Sequence, residues 1–321
     1  MGEITNSIIR RKVVIVGAGA VGSTHGYALA QSGLADEIAI IDNNEDLARG
    51  QVLDLVHGQP FFPTVSIKVG DKKDYANANV IVITAGTAQK PGETRLQLLQ
   101  KNADIIKKII ADIIDQNSNA VVLIVSNPVD ILTYVAIKHS GWEKGRIIGS
   151  GTVLDSARFR YILSAHCRVD VHNVHAYMLG EHGDSEFAAW SMTNIAGMPM
   201  GEYCPACMNC SNWDLERKKI EQEVRDSAYH IIGYKGATYF AVGLAIVRII
   251  GAILRGQRSV MTVSTLLEGE FGLKDVCLSV PSIVSHKGVR KIIESNLSEE
   301  ELGSLSGSAE ILKSAIRELN L

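Results

Sequence analysis

The stretch KVVIVGAGAVG, residues 12–22, decides the fold of the first part of the chain. Its first five residues, 12–16, form an apolar run rich in β-branched side chains, which is typical of a strand buried on both faces of a parallel sheet. The pattern GxGxxG follows, and a helix-length segment comes next. In that context Gly17 permits a tight turn, Gly19 lets a pyrophosphate approach the backbone, and Gly22 lets the helix pack closely on the strand. The stretch therefore predicts a dinucleotide-binding turn.

Asp42 indicates which dinucleotide would bind. It lies about twenty residues beyond Gly22, at the end of a second apolar run, residues 37–41. A carboxylate at this place accepts hydrogen bonds from a ribose 2′-hydroxyl and repels a 2′-phosphate, so NAD is favoured over NADP. The alternative is that Asp42 is only a turn carboxylate before Asn43 and Asn44.

Apolar strands and helix-length segments alternate through the first half of the chain. Further strand-like runs occupy residues 79–83 and 120–125, and residues 21–31 and 95–115 have the length and periodicity of helices. This alternation predicts an α/β fold with a Rossmann-type, doubly wound parallel sheet.

The pattern changes at about residue 150. Long helical segments then alternate with strand-like stretches, and no Gly/Ser-rich or Pro-rich linker separates the two parts. We expect an NAD-binding domain over residues 1–149 and an α+β substrate domain over residues 150–321, with the ligand site in the cleft between them. The predicted helices are residues 152–165, 214–232, 236–254 and 298–319, and the predicted strands are residues 259–267 and 276–284.

Composition limits the partners of the chain. Its 32 basic and 35 acidic residues are interspersed and give a net charge of −3, so we expect no binding to nucleic acid or anionic membranes. The N-terminus lacks the apolar core of an export signal. The longest apolar run, residues 239–254, is interrupted by Arg248 and predicts a buried helix rather than a membrane span. We therefore expect a cytoplasmic protein with small-molecule partners.

The chain has five cysteines, and this odd number favours reduced thiols over a disulfide framework. Cys204, Cys207 and Cys210 have the CxxCxxC spacing that begins an iron–sulfur site, but the fourth position of that motif is Asp214. A zinc site would need Cys277 or a distant histidine as its fourth ligand. A loop without metal is the favoured interpretation.

Two polar loops follow predicted strands and should lie at the carboxyl edge of the sheet, where open α/β folds bind ligands. AGTAQKPGETR, residues 85–95, can close as a lid that carries Gln89 and Arg95 into the cleft, or it is only a surface connection. In SNPVDI, residues 126–131, the proline suits a helix start and Asn127 can point its amide into the same cleft.

The segment LDSARFR, residues 154–160, combines acidic and basic side chains on a predicted helix. Asp155 and Arg158 are three residues apart and share a face, whereas Arg158 and Arg160 diverge. One arginine can therefore face the cleft while the other faces outward. The alternative for Asp155 and Arg158 is a surface ion pair of little energetic value.

Three of the nine histidines lie in VHNVHAYMLGEHGDSE, residues 171–186. They are His172, His175 and His182, and they could be metal ligands, core residues or a catalytic group with unrelated neighbours. Their spacing of three and then seven residues fits no familiar metal-ligand pattern, so no metal is predicted.

In order along the chain, GAGAVG with Asp42, AGTAQKPGETR, SNPVD, LDSARFR and HAYMLGEHGDSE resemble the L-lactate dehydrogenase family, and its bacterial allosteric members most closely. The resemblance continues to YKGATYFAVGLAIVRI, residues 234–249, and so covers nearly the whole chain. It implies reversible NADH-dependent reduction of pyruvate to (S)-lactate.

The resemblance implies four catalytic roles. His182 is the proton donor and acceptor for the substrate's C2 oxygen, and Asp155 is its carboxylate partner, which fits the chemistry because a neighbouring carboxylate favours the imidazolium form. Arg158 is the bidentate clamp on the substrate carboxylate. Arg95 is the lid arginine that polarises the reacting carbonyl.

Other matched positions line the two ligand sites. Asn127 and Thr238 line the substrate pocket, together with Gln89. The chain departs from many bacterial relatives at Leu47 and Lys72, near the adenine end, where the family has Lys and Tyr. The positions matched to cofactor contacts are Gly17, Gly19, Val21, Gly22, Asp42, Gly86, Thr87, Val125, Ser126, Asn127 and Ser150.

Gln89 favours lactate over malate. Malate enzymes of this fold carry an arginine at the corresponding lid position, six residues before Arg95, to pair with a second carboxylate. A neutral amide fits the methyl end of pyruvate and would leave a second carboxylate buried without a counter-charge. A malate dehydrogenase, an enzyme for branched 2-hydroxy acids, and a non-catalytic NAD-binding sensor remain the alternatives.

Arg160 and His175 match the pair that binds fructose 1,6-bisphosphate across a two-fold subunit interface in allosteric members of the family. Cationic side chains that face each other across an axis repel, and an anion with two phosphates relieves that repulsion. The resemblance therefore implies activation by the bisphosphate in a homo-oligomer, a tetramer. The alternative is that both are ordinary surface residues, and for His172 a structural role is favoured.

Overall fold

A computed structural model describes residues 10–87, 92–207 and 212–320 of the chain. Its first part alternates strands and helices, as the apolar pattern predicts. The strands are β1 Lys12–Val16, β2 Glu37–Ile41, β3 Ser66–Val69, β4 Val80–Ile83, β5 Val121–Ile124 and β6 Ile147–Gly149. The helices are α1 Ala20–Ser32, α2 Glu45–His57, α3 Arg95–Asp115 and α4 Val129–Ser140.

These strands form a parallel, doubly wound sheet in the order β3-β2-β1-β4-β5-β6. The central strands β1, β4 and β5 are buried along their whole length, which is the burial that their continuous apolar sequences predict. The strand order reverses between β1 and β4. Ligands bind at such a switch point, beyond the carboxyl ends of the strands.

The second part of the chain mixes long helices with short strands and a long hairpin. Its helices are α5 Val153–Cys167, α6 Met200–Cys207, α7 Trp213–Lys235, α8 Phe240–Leu254 and α9 Glu299–Arg317. Its strands are β7 Val174–His175, β8 Met178–Leu179, β9 Phe187–Ala188, β10 Asn194–Ile195, β11 Met198–Pro199, β12 Ser259–Glu268, β13 Lys274–Ser285 and β14 Gly288–Ile292.

The two parts share one sheet, a feature that the sequence pattern did not reveal. The antiparallel strands β12, β13 and β14 continue the parallel sheet beyond β6, and the join is the pair Ser264 and Gly149. A Cβ at Gly149 would lie 2.5 Å from Thr133 Oγ1 and 2.8 Å from the Ser264 Cβ, so only glycine allows this close approach. The segments before and after residue 150 are therefore fixed to each other through backbone pairing.

The prediction that residues 239–254 form a buried helix is only partly right, because one face of the helix α8 is exposed. Ile246, Ile249 and Ile250 are fully buried, but Phe240 and Leu244 on the other side are more than half exposed. With Arg248 as its one charged residue, the run hides the two faces, because periodicity cannot be seen where nearly every position is apolar. Within the described part of the chain, no helix is both long enough and apolar enough to cross a membrane.

The cysteine-rich segment also differs from the prediction of a loop. Residues through Cys207 belong to α6, in which Met200 and Cys204 are buried against α5 and α7, while Cys210 lies outside the described residues. Cys204 takes part in a disulfide, so the expectation of reduced thiols is wrong for this residue. An odd number of cysteines favours a reducing compartment, but the number alone does not show which thiols the fold brings together.

Candidate active site

The three glycines of the first turn have the separate roles that the motif predicts. Gly17 has a φ of +111°, and a Cβ there would lie 2.7 Å from Ala85 N. A Cβ at Gly22 would lie 1.8 Å from Gly17 O, so the helix can pack on the turn only with glycine at this position. Gly19 is the N-cap of α1, has nothing within 4 Å of its Cβ position, and makes no side-chain cap. This open helix N-terminus suits a pyrophosphate.

Asp42 is held against the same turn. Its Oδ2 accepts a hydrogen bond from Ala18 N at 2.7 Å, and its Oδ1 accepts one from Asn44 N at 2.8 Å. The turn role considered for this residue is therefore present, and the carboxylate still lines a cavity of about 300 Å³ with Gly17 and Gly86. The open glycine cradle and this acid-lined cavity fit an NAD molecule.

Lys72, one of the two positions at which the chain differs from many members of the family it resembles, lines this cavity. Its Nζ is 2.7 Å from Asp112 Oδ1, and both residues line the cavity. Leu47 is partly exposed near the start of α2.

Most of the remaining positions matched to cofactor contacts lie along the carboxyl edge of the parallel sheet. Val21 is half-buried in the first turn of α1. Thr87 N donates to Asn102 Oδ1 at 2.9 Å, the Ser126 hydroxyl donates to Ala85 O at 2.5 Å, and Ser150 N donates to Ile124 O at 2.8 Å. With Val125, these residues follow β4, β5 and β6, at the carboxyl ends where such folds bind ligands.

Asp155, Arg158 and His182 meet in one buried cluster. Asp155 Oδ2 lies 2.7 Å from His182 Nδ1, and Asp155 Oδ1 accepts a hydrogen bond from Arg158 Nη1, also at 2.7 Å. The side chains of Asp155 and Arg158 are only 3% and 12% exposed, so the alternative of a surface ion pair does not apply. The side chain of His182 is 26% exposed. Because Nδ1 faces Asp155, Nε2 is the ring nitrogen that does not.

The charges in the cluster favour a protonated His182. Burial lowers the pKa of His182, but the charge and hydrogen bond of Asp155 outweigh it, and with smaller contributions from Glu186 and Asp130 the pKa is raised to about 9. Burial would raise the pKa of Asp155, yet His182 and Arg158 bring it below its usual value. At neutral pH the pair is therefore an imidazolium beside a carboxylate.

Two buried acids beside His182 were missed at the level of sequence. Glu186 is 5% exposed, and its carboxylate lies with Asp155 and His182 so that one donor atom of each is within 4.8 Å of the others. Burial raises the pKa of Glu186 well above its usual value. Asp130, 2% exposed, accepts a hydrogen bond from the backbone of His182. The sequence signal was present only as acids within the GEHGDSE and SNPVD segments.

The grouping of Asp155, His182 and Glu186 has the spacing of a metal site. However, the first two are hydrogen-bonded to each other, and Asp155 also holds Arg158. The spacing is therefore accounted for by an ion-pair cluster, and it does not by itself indicate a metal.

Arg95 is the first residue of α3 and is exposed. The helix starts there because Thr94 and Gln97 form a capping box. The charge of Arg95 reaches Tyr229, where it opposes the rise in pKa that a hydrogen bond to Asp184 causes. Asp184 lies two residues beyond His182, so Arg95 is near the segment that carries His182. Gln89 lies outside the described residues.

Asn127 and Thr238 lie outside the hydrogen-bonded cluster of the described residues. Asn127 is exposed, and its Oδ1 accepts a hydrogen bond from Val129 N at 3.3 Å. Thr238 is half-buried in the loop between α7 and α8. Among the residues that the structure describes, neither makes a direct hydrogen bond to His182 or Asp155.

Arg160 and the other two histidines lie away from the cluster. Arg160 Nε donates to Val174 O at 2.9 Å, next to His175, which is exposed and pairs with Asn194 between β7 and β10. The His172 side chain is 89% exposed, and its Nδ1 is 2.7 Å from Asp170. The segment therefore has one histidine at the cluster and two at the surface.

Two family models match the chain over nearly its whole length. The model described as lactate/malate dehydrogenase, NAD binding domain, matches residues 11–149, and the lactate/malate dehydrogenase, alpha/beta C-terminal domain, matches residues 152–320. The first match assigns NAD as the cofactor.

Curated relatives and solved structures agree with these matches. An L-lactate dehydrogenase of Treponema denticola is 60% identical, with 97% of this chain and 99% of the relative covered. An L-lactate dehydrogenase 1 of Clostridium acetobutylicum is 54% identical, with 95% and 97% covered. A minor L-lactate dehydrogenase of Enterococcus mundtii, solved in a ligands-bound form, superposes with a TM-score of 0.94 at 40% identity, covering 98% of this chain and 99% of that one. On these matches and on its NAD cradle, the chain belongs to the lactate/malate dehydrogenase family.

Proposed function

We propose that this NAD-dependent dehydrogenase interconverts pyruvate and (S)-lactate, with His182 as the proton donor and acceptor. The observation that carries the proposal is the buried hydrogen bond between Asp155 Oδ2 and His182 Nδ1. A family fold without catalysis, such as a sensor, would need the NAD cradle but would have no use for a protonated histidine paired in the cleft. In this division, residues 1–149 hold the cofactor and residues 150–321 supply the acid–base pair.

His182 holds the proton that the reaction needs. NAD, when bound, supplies or takes up the hydride at the substrate's C2 carbon. Reduction of a 2-keto acid also requires a proton on the C2 oxygen, and the imidazolium of His182 carries one at Nε2, the nitrogen that does not face Asp155. Asp155 stabilises the imidazolium and fixes the ring orientation, so that the proton is ready before substrate arrives.

Arg158 and Arg95 divide the work on the substrate. Arg158 uses one Nη1 hydrogen bond to hold Asp155, and the rest of its guanidinium remains to bind the substrate carboxylate in a planar, bidentate way. Arg95, at the exposed start of α3, would approach the C2 oxygen when the loop before it closes. Asn127 and Thr238 complete the pocket walls.

The substrate preference rests on Gln89. An amide at this lid position leaves the methyl group of pyruvate in a neutral environment, whereas the second carboxylate of oxaloacetate would lack a counter-charge. The names of the curated relatives support the same substrate. Enzymes for malate and for branched 2-hydroxy acids remain the alternatives that an assay must separate.

We also propose that fructose 1,6-bisphosphate activates the enzyme through Arg160 and His175 of a homotetramer. The contact of Arg160 with the backbone next to His175 supports a shared anion site, because it keeps the arginine and the histidine side by side. Copies of this surface across a two-fold axis would repel, and a bisphosphate between them would relieve that repulsion.

The variant His182→Gln tests the catalytic role. We expect kcat for pyruvate reduction, followed by NADH absorbance, to fall by roughly 10³-fold, because the amide cannot donate a proton to the forming alkoxide. NADH affinity, measured by fluorescence titration, should stay unchanged. His172→Gln, a change at an exposed surface histidine, is the control and should keep full activity. A His182→Gln enzyme with more than about a tenth of the parent kcat would contradict the proposal.

The variant Gln89→Arg tests the substrate preference. We expect the ratio of kcat/KM for oxaloacetate over pyruvate to rise by about 100-fold or more, because the new guanidinium pairs with the second carboxylate. Gln89→Met, which adds no charge, is the matched control and should leave oxaloacetate a poor substrate. A branched 2-keto acid in the same assay measures the remaining alternative. A parent enzyme that already prefers oxaloacetate would refute the lactate assignment.

Adding fructose 1,6-bisphosphate tests the effector site. We expect the KM for pyruvate to fall, most strongly at mildly acidic to neutral pH, where imidazole side chains carry more positive charge. Arg160→Gln and His175→Gln should each remove the effect while the activity without effector is kept, and His172→Gln should respond like the parent. A KM that does not change at saturating bisphosphate would rule the site out.

A further inference from the structure

Asp130 lies in the first turn of α4, directly after the strand β5, and it is 2% exposed. Its Oδ2 accepts a hydrogen bond from the backbone N–H of His182 at 2.7 Å. This bond joins the NAD-binding part of the chain to the segment that carries the acid–base histidine. Asp130 is also three residues beyond Asn127, at the edge where the cofactor and substrate are expected.

The segment around His182 is also held by hydrogen bonds before and after this residue, and those after it come from Ser308 and Arg225. The segment leaves β8 at Leu179, passes Gly180 at a φ of +97°, and is held there by paired hydrogen bonds between Gly180 and Ser279. Gly183, which follows His182, is exposed. The bond from its backbone N–H to Asp130 and the bond from its ring to Asp155 therefore fix His182 at two points, one on the backbone and one on the side chain.

The burial of Asp130 is difficult to explain by stability alone. Burial raises the pKa of this carboxyl to about 6, although the Ser264 side chain and the backbone of His182 both act to lower it. A buried carboxylate whose pKa is raised by burial destabilises a fold relative to a neutral residue of similar size. An acid near a helix N-terminus gains from the helix dipole, but an exposed acid would gain the same without the cost of burial.

The charge of Asp130 also acts on the ring of His182. Near neutral pH, above its pKa of about 6, Asp130 is negative and contributes to the raised pKa of His182. The other groups that influence Asp130, His182 or the Glu186 beside it come from several elements. They are Asp155 and Arg158 on α5, Glu181 and Glu186 on the segment itself, Arg225 on α7 and Cys277 on β13.

We propose that Asp130 is a positioning residue for proton transfer: its carboxylate fixes the backbone of His182 against α4, and its negative charge favours the imidazolium. The inference rests on the proposed role of His182. It assigns the acid of the SNPVD segment a function separate from that of Asn127, because Asp130 acts through His182 and does not face the substrate.

Two substitutions separate the hydrogen bond from the charge. Asp130→Asn keeps an acceptor for the His182 N–H, and its new amide N–H groups would face the Ser264 hydroxyl, which interacts with the Asp130 carboxylate in the parent protein. Asp130→Ala removes both the acceptor and the charge. Asp104→Ala, at an exposed acid on α3, is the control and should leave activity and its pH profile unchanged.

For Asp130→Asn we expect kcat near the parent value at pH 6.5, with the alkaline limb of kcat/KM for pyruvate moved to lower pH. Loss of the negative charge lowers the pKa of His182, so the imidazolium is lost earlier as pH rises. Below pH 6 the parent carboxyl is itself neutral, so the two profiles should converge there. For Asp130→Ala we expect kcat to fall by about 100-fold at every pH, because a small misplacement of a catalytic group has that effect.

NADH fluorescence titration and thermal unfolding are measured on each variant, and NADH affinity should stay at the parent value. An Asp130→Ala enzyme with parent kcat would overturn the proposal. An Asp130→Asn enzyme whose alkaline limb of kcat/KM does not move would also overturn the proposal. This second result is sufficient by itself if the alanine variant fails to fold. An active His182→Gln enzyme would instead refute the proposed function, whatever the Asp130 variants do.

Discussion

The hydrogen bond between Asp155 and His182 is the interaction on which the rest of the site depends. Two opposing effects act on the histidine: burial disfavours its charge, and the carboxylate 2.7 Å away favours it. The carboxylate outweighs burial only because Asp155 stays ionised, and it stays ionised because His182 and, to a smaller extent, Arg158 lower its pKa. A change in any of the three would alter the protonation of the other two.

The fold keeps this cluster in place through backbone structure on three sides. The helix α5 places Asp155 and Arg158 on one face, and the pairing of Gly149 with Ser264 joins the parallel sheet to the hairpin of β12 and β13. That hairpin in turn pairs with Gly180, just before His182. The proposed acid–base group and the NAD cradle are thus connected through one continuous sheet, and hydride and proton transfer would need their sites in fixed relation.

Local sequence patterns predicted the elements that carry the site better than they predicted its contacts. The strand at residues 12–16 and the helix at residues 95–115 have the predicted bounds, because burial on both faces and amphipathic periodicity are local signals. The shared face of Asp155 and Arg158 followed from helical spacing. The roles of His182 and Asp155 came from resemblance, because residues 27 positions apart in sequence meet only through the fold.

The same limit explains what was missed. The contact between Asp130 and the His182 backbone, the sheet pairing at Gly149 and the packing of α6 are all long-range, and residue spacing does not encode them. The placement of Glu186 was missed for a different reason: one acid in a polar segment gives no local sign that it will be buried.

The most direct test of the account is a titration of His182 by NMR in protein labelled with ¹⁵N-histidine, with His182→Gln used to assign its signals. Both ring nitrogens of His182 should remain protonated at pH 7.5, and the ring should titrate near pH 9. In Asp155→Asn the titration should move down markedly, because the charge that opposes burial is gone. A His182 ring in the parent protein that titrates at or below pH 6.5, as an unpaired histidine does, would contradict the account.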